Sequence, residues 1–512
     1  MSKEDETDPE TERSEAAVVV LGDIGRSPRM CNHAKMLADE GFDVKIIGFY
    51  DSIPGDQITN HPRINIVGIP PPPDFMENLP AFIQLPLKLI WNFLTLFFAL
   101  AFKYNQFFQS TCHFNAESTS STNYDSVLSG TNNVKDSDFY SVSLQFSLIK
   151  CSKFTIDWHN YMYSILQNKY GLKEEQVFGK EKKSKKAQIV RCVSFLEGLC
   201  GKLSDYNLCV TDAMRRDLME RWGVRASTFY DRPPTWKFKP TTINEIHELY
   251  LQLSEAEDGR VLKGNEESET ILTSISPDGS VSLLPNRPIV FLSSTSWTPD
   301  ERFEILLDSL VEYDSVASKN QNLPKVLMII TGKGPLKSKY LEDIRGKCLK
   351  NVTVLTPWLE ANDYPKILAS ADLGISLHTS TSGLDLPMKV VDMFGAKIPA
   401  LALKFKCIDE LVEENKNGYL FENSEQLSHQ IVELSRGFPD NCKELNRLKQ
   451  STRETKFESW EVMWKRSAAP AANLTPPDDG FAKLRATIQF SFFAIIAIML
   501  IHFFMGTFSG LF

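Results

Sequence analysis

The stretch Thr379-Ser-Thr-Ser-Gly-Leu-Asp-Leu-Pro-Met-Lys-Val-Val-Asp-Met-Phe-Gly395, continuing to Pro399, joins a hydroxyl-rich turn to a short apolar segment with helical spacing. Its two carboxylates, Asp385 and Asp392, stand seven residues apart. That is about two helical turns, so the spacing predicts both acids on one helix face. Ahead of it, Ala371-Asp-Leu-Gly-Ile-Ser-Leu377 reads as a buried strand. The turn, with His378, Ser382 and Gly383, is therefore expected at a strand's C-terminal end, facing a helix N-terminus. Open α/β sheets bind phosphorylated ligands there. An ionised carboxylate beyond such a turn suits a ribose diol, because it accepts from both hydroxyls.

Working outward, Pro288-Ile-Val-Phe-Leu292, Val326-Leu-Met-Ile-Ile330 and Val352-Thr-Val-Leu355 read as further strands of the same domain. After the second comes Thr331-Gly-Lys-Gly-Pro335. Gly332 and Gly334 let the backbone approach a ligand closely, and Lys333 supplies a point charge for phosphate. Ser293-Ser-Thr-Ser-Trp297 follows the first of these strands, and its Ser294 and Thr295 offer hydroxyls to the same site.

A second α/β unit begins at about residue 16. Ala16-Ala-Val-Val-Val-Leu21 is an apolar run of the parallel-strand type. Ser27 and Pro28 read as N-cap and first residue of a helix ending before Gly41. Val44-Lys-Ile-Ile-Gly48, Phe154-Thr-Ile-Asp157 and Leu208-Cys-Val-Thr211 are later strands. Gly25, Arg26 and Arg29 cluster at the first helix N-terminus, where two guanidinium groups beside free N–H groups would make an anion site. Asp157-Trp-His-Asn-Tyr161 directly follows a strand. His159 is placed to act as a general base with Asp157 orienting it, a structural histidine being the alternative.

The fold class is thus α/β, with two doubly wound Rossmann-like domains facing a cleft and a C-terminal transmembrane helix. Residues 1–15 hold seven acids and read as a disordered tail. The first domain is expected over 16–236, a linker or insertion over 237–285, the second domain over 286–455, a terminal helix over 456–466 and a linker over 467–485. Residues 486–505 carry no Asp, Glu, Lys or Arg. Twenty helical residues cross about 30 Å of hydrocarbon, so the segment 486–508 is expected to anchor the chain. Lys483 and Arg485 before it place the preceding chain in the cytosol. Residues 81–102, apolar but broken by Pro86 and Lys88, suit a helix lying in the membrane interface.

The net charge of −9 argues against nucleic acid as a partner. Nine scattered cysteines without a Cys-x-x-Cys pair indicate neither a disulfide framework nor a zinc ribbon. No cofactor or metal site is expected, and a need for a divalent ion is not readable from the residues.

With these residues in view, the chain resembles the dolichol-pathway β-mannosyltransferases, a GT-B glycosyltransferase family. The first domain carries the resemblance in Val-Val-Leu-Gly-Asp-Ile-Gly-Arg-Ser-Pro-Arg-Met (19–30), Ile-Asp-Trp-His-Asn-Tyr (156–161) and Leu-Cys-Val-Thr (208–211). In the second domain it lies in Ser-Ser-Thr-Ser-Trp-Thr (293–298), Ile-Thr-Gly-Lys-Gly-Pro-Leu (330–336), Thr-Pro-Trp-Leu-Glu (356–360), Asp-Tyr-Pro (363–365), Ser-Ala-Asp-Leu-Gly (370–374), the 378–395 run and Phe-Lys-Cys (405–407).

The resemblance implies inverting transfer of mannose from GDP-mannose to GlcNAc2 on dolichyl diphosphate at the cytosolic face of the endoplasmic reticulum membrane. By position, Asp392 would hold the donor ribose, with Asp385 the other member of a shortened acid pair. Lys333 would hold the donor diphosphate, and Gly25, Arg26 and Arg29 the acceptor diphosphate. Other glycosyltransferases of the dolichol pathway would be partners.

The resemblance also implies a strand, a turn and an apolar helix where residues 104–150 are rich in Ser, Thr and Asn. The sequence shows none of them, so part of the first sheet is expected to be missing or replaced. An inactive scaffold, or another GT-B mannosyltransferase, is the alternative function.

Overall fold

The computed structural model describes residues 15–78, 91–92, 95, 110–115, 153–180, 184–256, 258–266, 268–298, 301–360, 362–380 and 382–472. The described chain divides into two compact units, one built from 15–229 and 464–472, the other from 230–463.

The first unit holds a parallel seven-stranded sheet. Its strands are β1 (Glu15–Asp23), β2 (Asp43–Phe49), β3 (Ile64–Gly68), β4 (Ser110–Asn115), β5 (Lys153–Trp158), β6 (Tyr206–Cys209) and β7 (Ser227–Thr228), in spatial order β3-β2-β1-β4-β5-β6-β7. Ala16 to Val20 are fully buried, as a strand covered on both faces requires. The chain runs outward from β1 to β3, then returns to the other side of β1, so the order reverses between β1 and β4.

β4 corrects one sequence expectation. Residues 110–115, Ser-Thr-Cys-His-Phe-Asn, form the strand that resemblance called for and composition hid. It pairs in parallel with β1 from Glu15↔Ser110 to Val19↔Phe114, and with β5 from Thr111↔Lys153 to Asn115↔Asp157. Neighbours on both sides supply the ladder, so a weak local preference is overridden by context. The rest of the 104–150 segment lies outside the described residues.

The second unit holds a parallel six-stranded sheet and a small hairpin, β8 (Thr273–Ile275) and β9 (Val281–Leu283). The sheet contains β10 (Ile289–Ser294), β11 (Val326–Thr331), β12 (Val352–Leu355), β13 (Leu373–Ser376), β14 (Ala400–Leu403) and β15 (Gly418–Phe421), ordered β12-β11-β10-β13-β14-β15. β11, β13 and β14 are buried along their whole length. Here the order reverses between β10 and β13, which makes the loops after these two strands the place where such sheets take ligands.

The stretch 237–285, expected to be irregular, carries the helix Ile243–Ser254. Thr242 and Glu245 close a capping box at its start, and Tyr250 Oη lies 3.0 Å from Ser370 Oγ. The last long helix runs Trp460–Ser467, followed by a turn of helix at Ala469–Ala472. The 486–508 segment lies outside the described residues, and so does 81–102 apart from Trp91, Asn92 and Thr95. Among the described residues no helix is long and apolar enough to cross a membrane.

Candidate functional site

In the second unit the sequence-selected residues gather on the loops that leave β10, β11 and β13. The 379–395 run departs from its expected form in one respect. The helix begins only at Met388, with Pro387 as N-cap, so Asp385 precedes it and does not share a face with Asp392. The proline is the reason, because the residue before it is held out of the α region. Asp385 instead closes the hydroxyl turn. Its Oδ1 accepts from Ser380 Oγ and from Ser382 Oγ (3.4 Å), and its Oδ2 lies 3.6 Å from His378 Nε2. Ser380 Oγ in turn accepts from the amide of Gly383, whose φ of +71° is the left-handed conformation glycine tolerates.

Asp392 lies on the helix Met388–Gly395, and both its oxygens meet Lys237 Nζ, at 3.2 and 3.3 Å. Burial pushes its carboxyl up. Lys237 and a hydrogen bond from Tyr364 pull the other way without cancelling that rise. The Tyr364 hydroxyl also lies 3.0 Å from Ser294 Oγ, which accepts from Thr331 Oγ1 at 3.1 Å. A polar chain therefore joins the β10 and β11 loops to the helix that follows β13. Tyr364 and Lys237 were missed by reasoning from sequence, although Tyr364 stands in the Asp-Tyr-Pro segment that carries the resemblance.

Thr295 is turned inward. Its hydroxyl donates to Glu301, which also accepts from the Ser296 amide at 2.8 Å and pairs with Lys389. Glu301 is buried, so this pair braces the β10 loop against the helix Met388–Gly395. Gly332 and Gly334 prove to be needed for contact within the protein. A Cβ on Gly332, whose φ is +121°, would fall 1.9 Å from the Thr295 carbonyl oxygen, and one on Gly334 would fall 1.7 Å from that of Ser296. The Gly-Lys-Gly loop thus lies directly on the Ser-Thr-Ser loop. Lys333 is projected from between them, its ammonium 3.6 Å from the centre of the exposed Trp358 ring. Beside the hydroxyl turn opens a cavity of about 600 Å³, with Arg302, Thr379, Lys404 and Lys406 in its wall.

In the first unit the expected anion site is corrected. Arg29 is only 1% exposed. Its guanidinium grips Asp157 with Nε at 2.7 Å from Oδ2 and Nη2 at 2.9 Å from Oδ1, donates to the Phe229 carbonyl at 3.0 Å, and lies 4.5 Å from the centre of the Phe229 ring. A buried carboxylate takes it up as a bidentate partner, so Arg29 is structural and does not face a ligand. Arg26, 3.3 Å from Asp23 Oδ2, remains near the surface. Gly25 lies against the Ser52 carbonyl, 2.4 Å from where a Cβ would sit.

Asp157 is correspondingly more than an orienting group for His159. Burial opposes its charge, yet Arg29, the nearby His159 ring and the hydrogen bond from His33 hold its carboxyl well below the usual range. His33 Nε2 lies 3.0 Å from Oδ2, closer than His159 Nε2 at 3.6 Å. The stretch after His159 is fixed by buried Glu197, which accepts from the amides of Met162 (2.7 Å) and Tyr163 (3.1 Å) at the start of the helix Met162–Lys169. Among the described residues no cluster of His, Cys, Asp and Glu is assembled to hold a metal ion.

Comparison with known proteins gives the family. Residues 286–436 match the family model for glycosyl transferases group 1. The chain is 37% identical to human chitobiosyldiphosphodolichol beta-mannosyltransferase, the alignment covering 88% of this chain and 91% of that one. It is also 37% identical to the Arabidopsis thaliana protein named UDP-glycosyltransferase TURAN, over 90% and 97% of the two chains. Among solved structures, Anabaena Alr3699/HepE in complex with UDP and glucose superposes with a TM-score of 0.54 over 90% of this chain and 100% of that one. At 14% identity, this likeness establishes the GT-B fold alone. The chain is a glycosyltransferase and belongs to the chitobiosyldiphosphodolichol β-mannosyltransferase family.

Proposed function

We propose that the chain transfers mannose from GDP-mannose, with inversion, to GlcNAc2-diphosphodolichol, forming the β-1,4-linked first mannose of the lipid-linked oligosaccharide. The observation that carries the donor half is the polar chain Lys237–Asp392–Tyr364–Ser294 at the reversal of the second sheet. It gathers a carboxylate, hydroxyls and a cation near strand ends of the kind that take nucleotide ligands in open α/β sheets, which supports a donor site there. Asp392 would accept the ribose hydroxyls, and Lys333 would meet the diphosphate. The turn of His378, Ser382, Gly383 and Asp385 would meet the sugar.

On the acceptor side, inversion needs a group that takes the proton from the attacking hydroxyl. His159 fits this role, because Asp157 beside it favours the imidazolium that proton transfer creates. With Arg29 engaged by Asp157, Arg26, near the surface beside Asp23, and the Gly25 loop would meet the acceptor diphosphate. A lipid-linked acceptor requires membrane contact. The apolar segment 486–508 would anchor the chain in the endoplasmic reticulum membrane, with residues 81–102 on the interface and both units in the cytosol.

The deciding assay is transfer of labelled mannose from GDP-mannose to synthetic lipid-linked chitobiose, with product linkage determined and UDP-sugars offered in parallel. No transfer from GDP-mannose, transfer from a UDP-sugar instead, or an α-linked product would overturn the reading.

A further inference from the structure

Residues 230–238 of the second unit form a strap held at several points. Tyr230 Oη donates to Glu410 Oε2 at 3.0 Å, and Thr235 Oγ1 to Glu461 Oε1 at 2.9 Å. Arg232 lies between the rings of Tyr230 and Phe457, 5.0 Å from each centre. The strap also closes on the helix of Asp392. A Cβ on Gly395 would come within 2.7 Å of the Phe238 ring and 2.8 Å of Pro233 Cβ. Lys237 is thereby delivered to Asp392, with its ammonium straddling both carboxylate oxygens and 5.4 Å from the centre of the Tyr364 ring.

We propose that Lys237 is a positioning residue of the donor site: the strap holds its ammonium against Asp392 so that this side chain stays a carboxylate, the form that accepts from both hydroxyls of a ribose diol. The inference rests on the donor reading above. Three charged or titratable groups bear on Asp392: Lys237 and Asp231 from the strap, and Tyr364 from the start of the helix Tyr364–Ser370. Lys389 is the other charged residue of the helix Met388–Gly395. Lys389 is committed to Glu301, and Asp231, a like charge, pushes the carboxyl up as burial does. Lys237 is the strongest influence in the other direction. Without it, the protonated acid has one oxygen turned donor and cannot serve a diol with both. The sign follows. Removing the cation raises the pH at which Asp392 ionises, so donor affinity should fall on the acid side and recover as pH rises.

The test is calorimetric binding of GDP-mannose to the detergent-solubilised full chain between pH 6 and pH 8.5. Wild type and Lys237→Arg should bind with little pH dependence. Lys237→Met should bind more weakly at pH 6 than at pH 8.5, a loss on the acid side that wild type does not show. Lys237→Gln keeps a hydrogen-bond donor without the charge and should show the same slope, which covers the case of a poorly folded Met variant. Affinity equal to wild type at every pH, or reduced by one constant factor, would overturn the proposal and leave Lys237 a fastening of the strap. Failure of wild type to bind GDP-mannose, or unchanged binding by Asp392→Asn, would instead refute the donor reading itself.

Discussion

The indole Nε1 of Trp464 donates to Nδ1 of His33 at 3.0 Å. An indole can only donate, so Nδ1 must be the bare nitrogen and His33 carries its proton on Nε2, facing Asp157 Oδ2. Burial pushes the His33 pKa down, consistent with a neutral ring fixed in one tautomer. Two residues distant in sequence thus settle the proton arrangement around the carboxylate nearest the candidate base.

Trp464→Phe keeps an aromatic ring but removes the donor, together with part of the buried indole's volume. It leaves the fully buried Nδ1 of His33 unsatisfied, a loss of about 1–3 kcal/mol. Urea unfolding of the first unit should report it. A change below about 0.5 kcal/mol would mean that water or a neighbouring group replaces the indole without penalty.

Asp157→Asn should be among the most damaging single changes in the first unit. It strands Arg29, 1% exposed, without its countercharge, and breaking a buried pair from one side costs about 3–5 kcal/mol. The pH dependence has a defined sign. The folded carboxyl ionises below its unfolded value, so its contribution is complete above the ordinary aspartate range and is lost as pH falls through the lower, folded value. Acid unfolding of Asp157→Asn should accordingly be shallower than that of wild type.

His159→Ala tests the base. Turnover should drop by roughly 10²–10⁴ while GDP-mannose affinity is retained. If turnover falls less than tenfold, His159 is only a partner of Asp157, and the proton goes elsewhere.

Gly332→Ala should disturb both fold and donor binding, because the added methyl meets the Thr295 carbonyl and the backbone sits at φ +121°. A loss of about 2 kcal/mol or more in stability is expected. Lys333→Ala, whose side chain points away onto Trp358, should weaken donor binding with a normal melting temperature. Equal melting losses in the two variants would show that Lys333 serves the fold instead.

Asn473 begins the sequon Asn-Leu-Thr475. Under the proposed cytosolic orientation it should carry no glycan in cells that glycosylate other sequons, and deletion of 486–512 should release much of the protein from membranes. A glycan at Asn473 would reverse the orientation.

Much of this architecture is legible in the residues, and the gaps have physical causes. Strands such as Val326–Thr331 announce themselves because strands buried on both faces must be apolar throughout. β4 is equally central but reads Ser-Thr-Cys-His-Phe-Asn, and its place is fixed by two neighbouring strands that a local reading cannot see. The helix Ile243–Ser254 was hidden by the polar composition of 237–285, although Thr242 and Glu245 stand at the spacing of a capping box. Pro387 was likewise visible, and it is what separates Asp385 from the helix of Asp392. Arg29 shows the opposite limit. An arginine near a helix N-terminus looks ready for an anion, and only tertiary structure reveals that a carboxylate 128 residues away has already taken it.

Trp464 also bears on how the chain is made. It is fully buried in a unit whose described strands end with Ser227–Thr228, and the residues between, 230–463, build the second unit. A ribosome delivers the amino end first, so the first unit emerges with a gap where the indole belongs. His33 waits for a partner 431 positions downstream. Contacts of such separation form late. Nascent chains stalled before residue 464 should hold a loosened, protease-sensitive first unit, and termination within residues 230–463 would spoil both units at once.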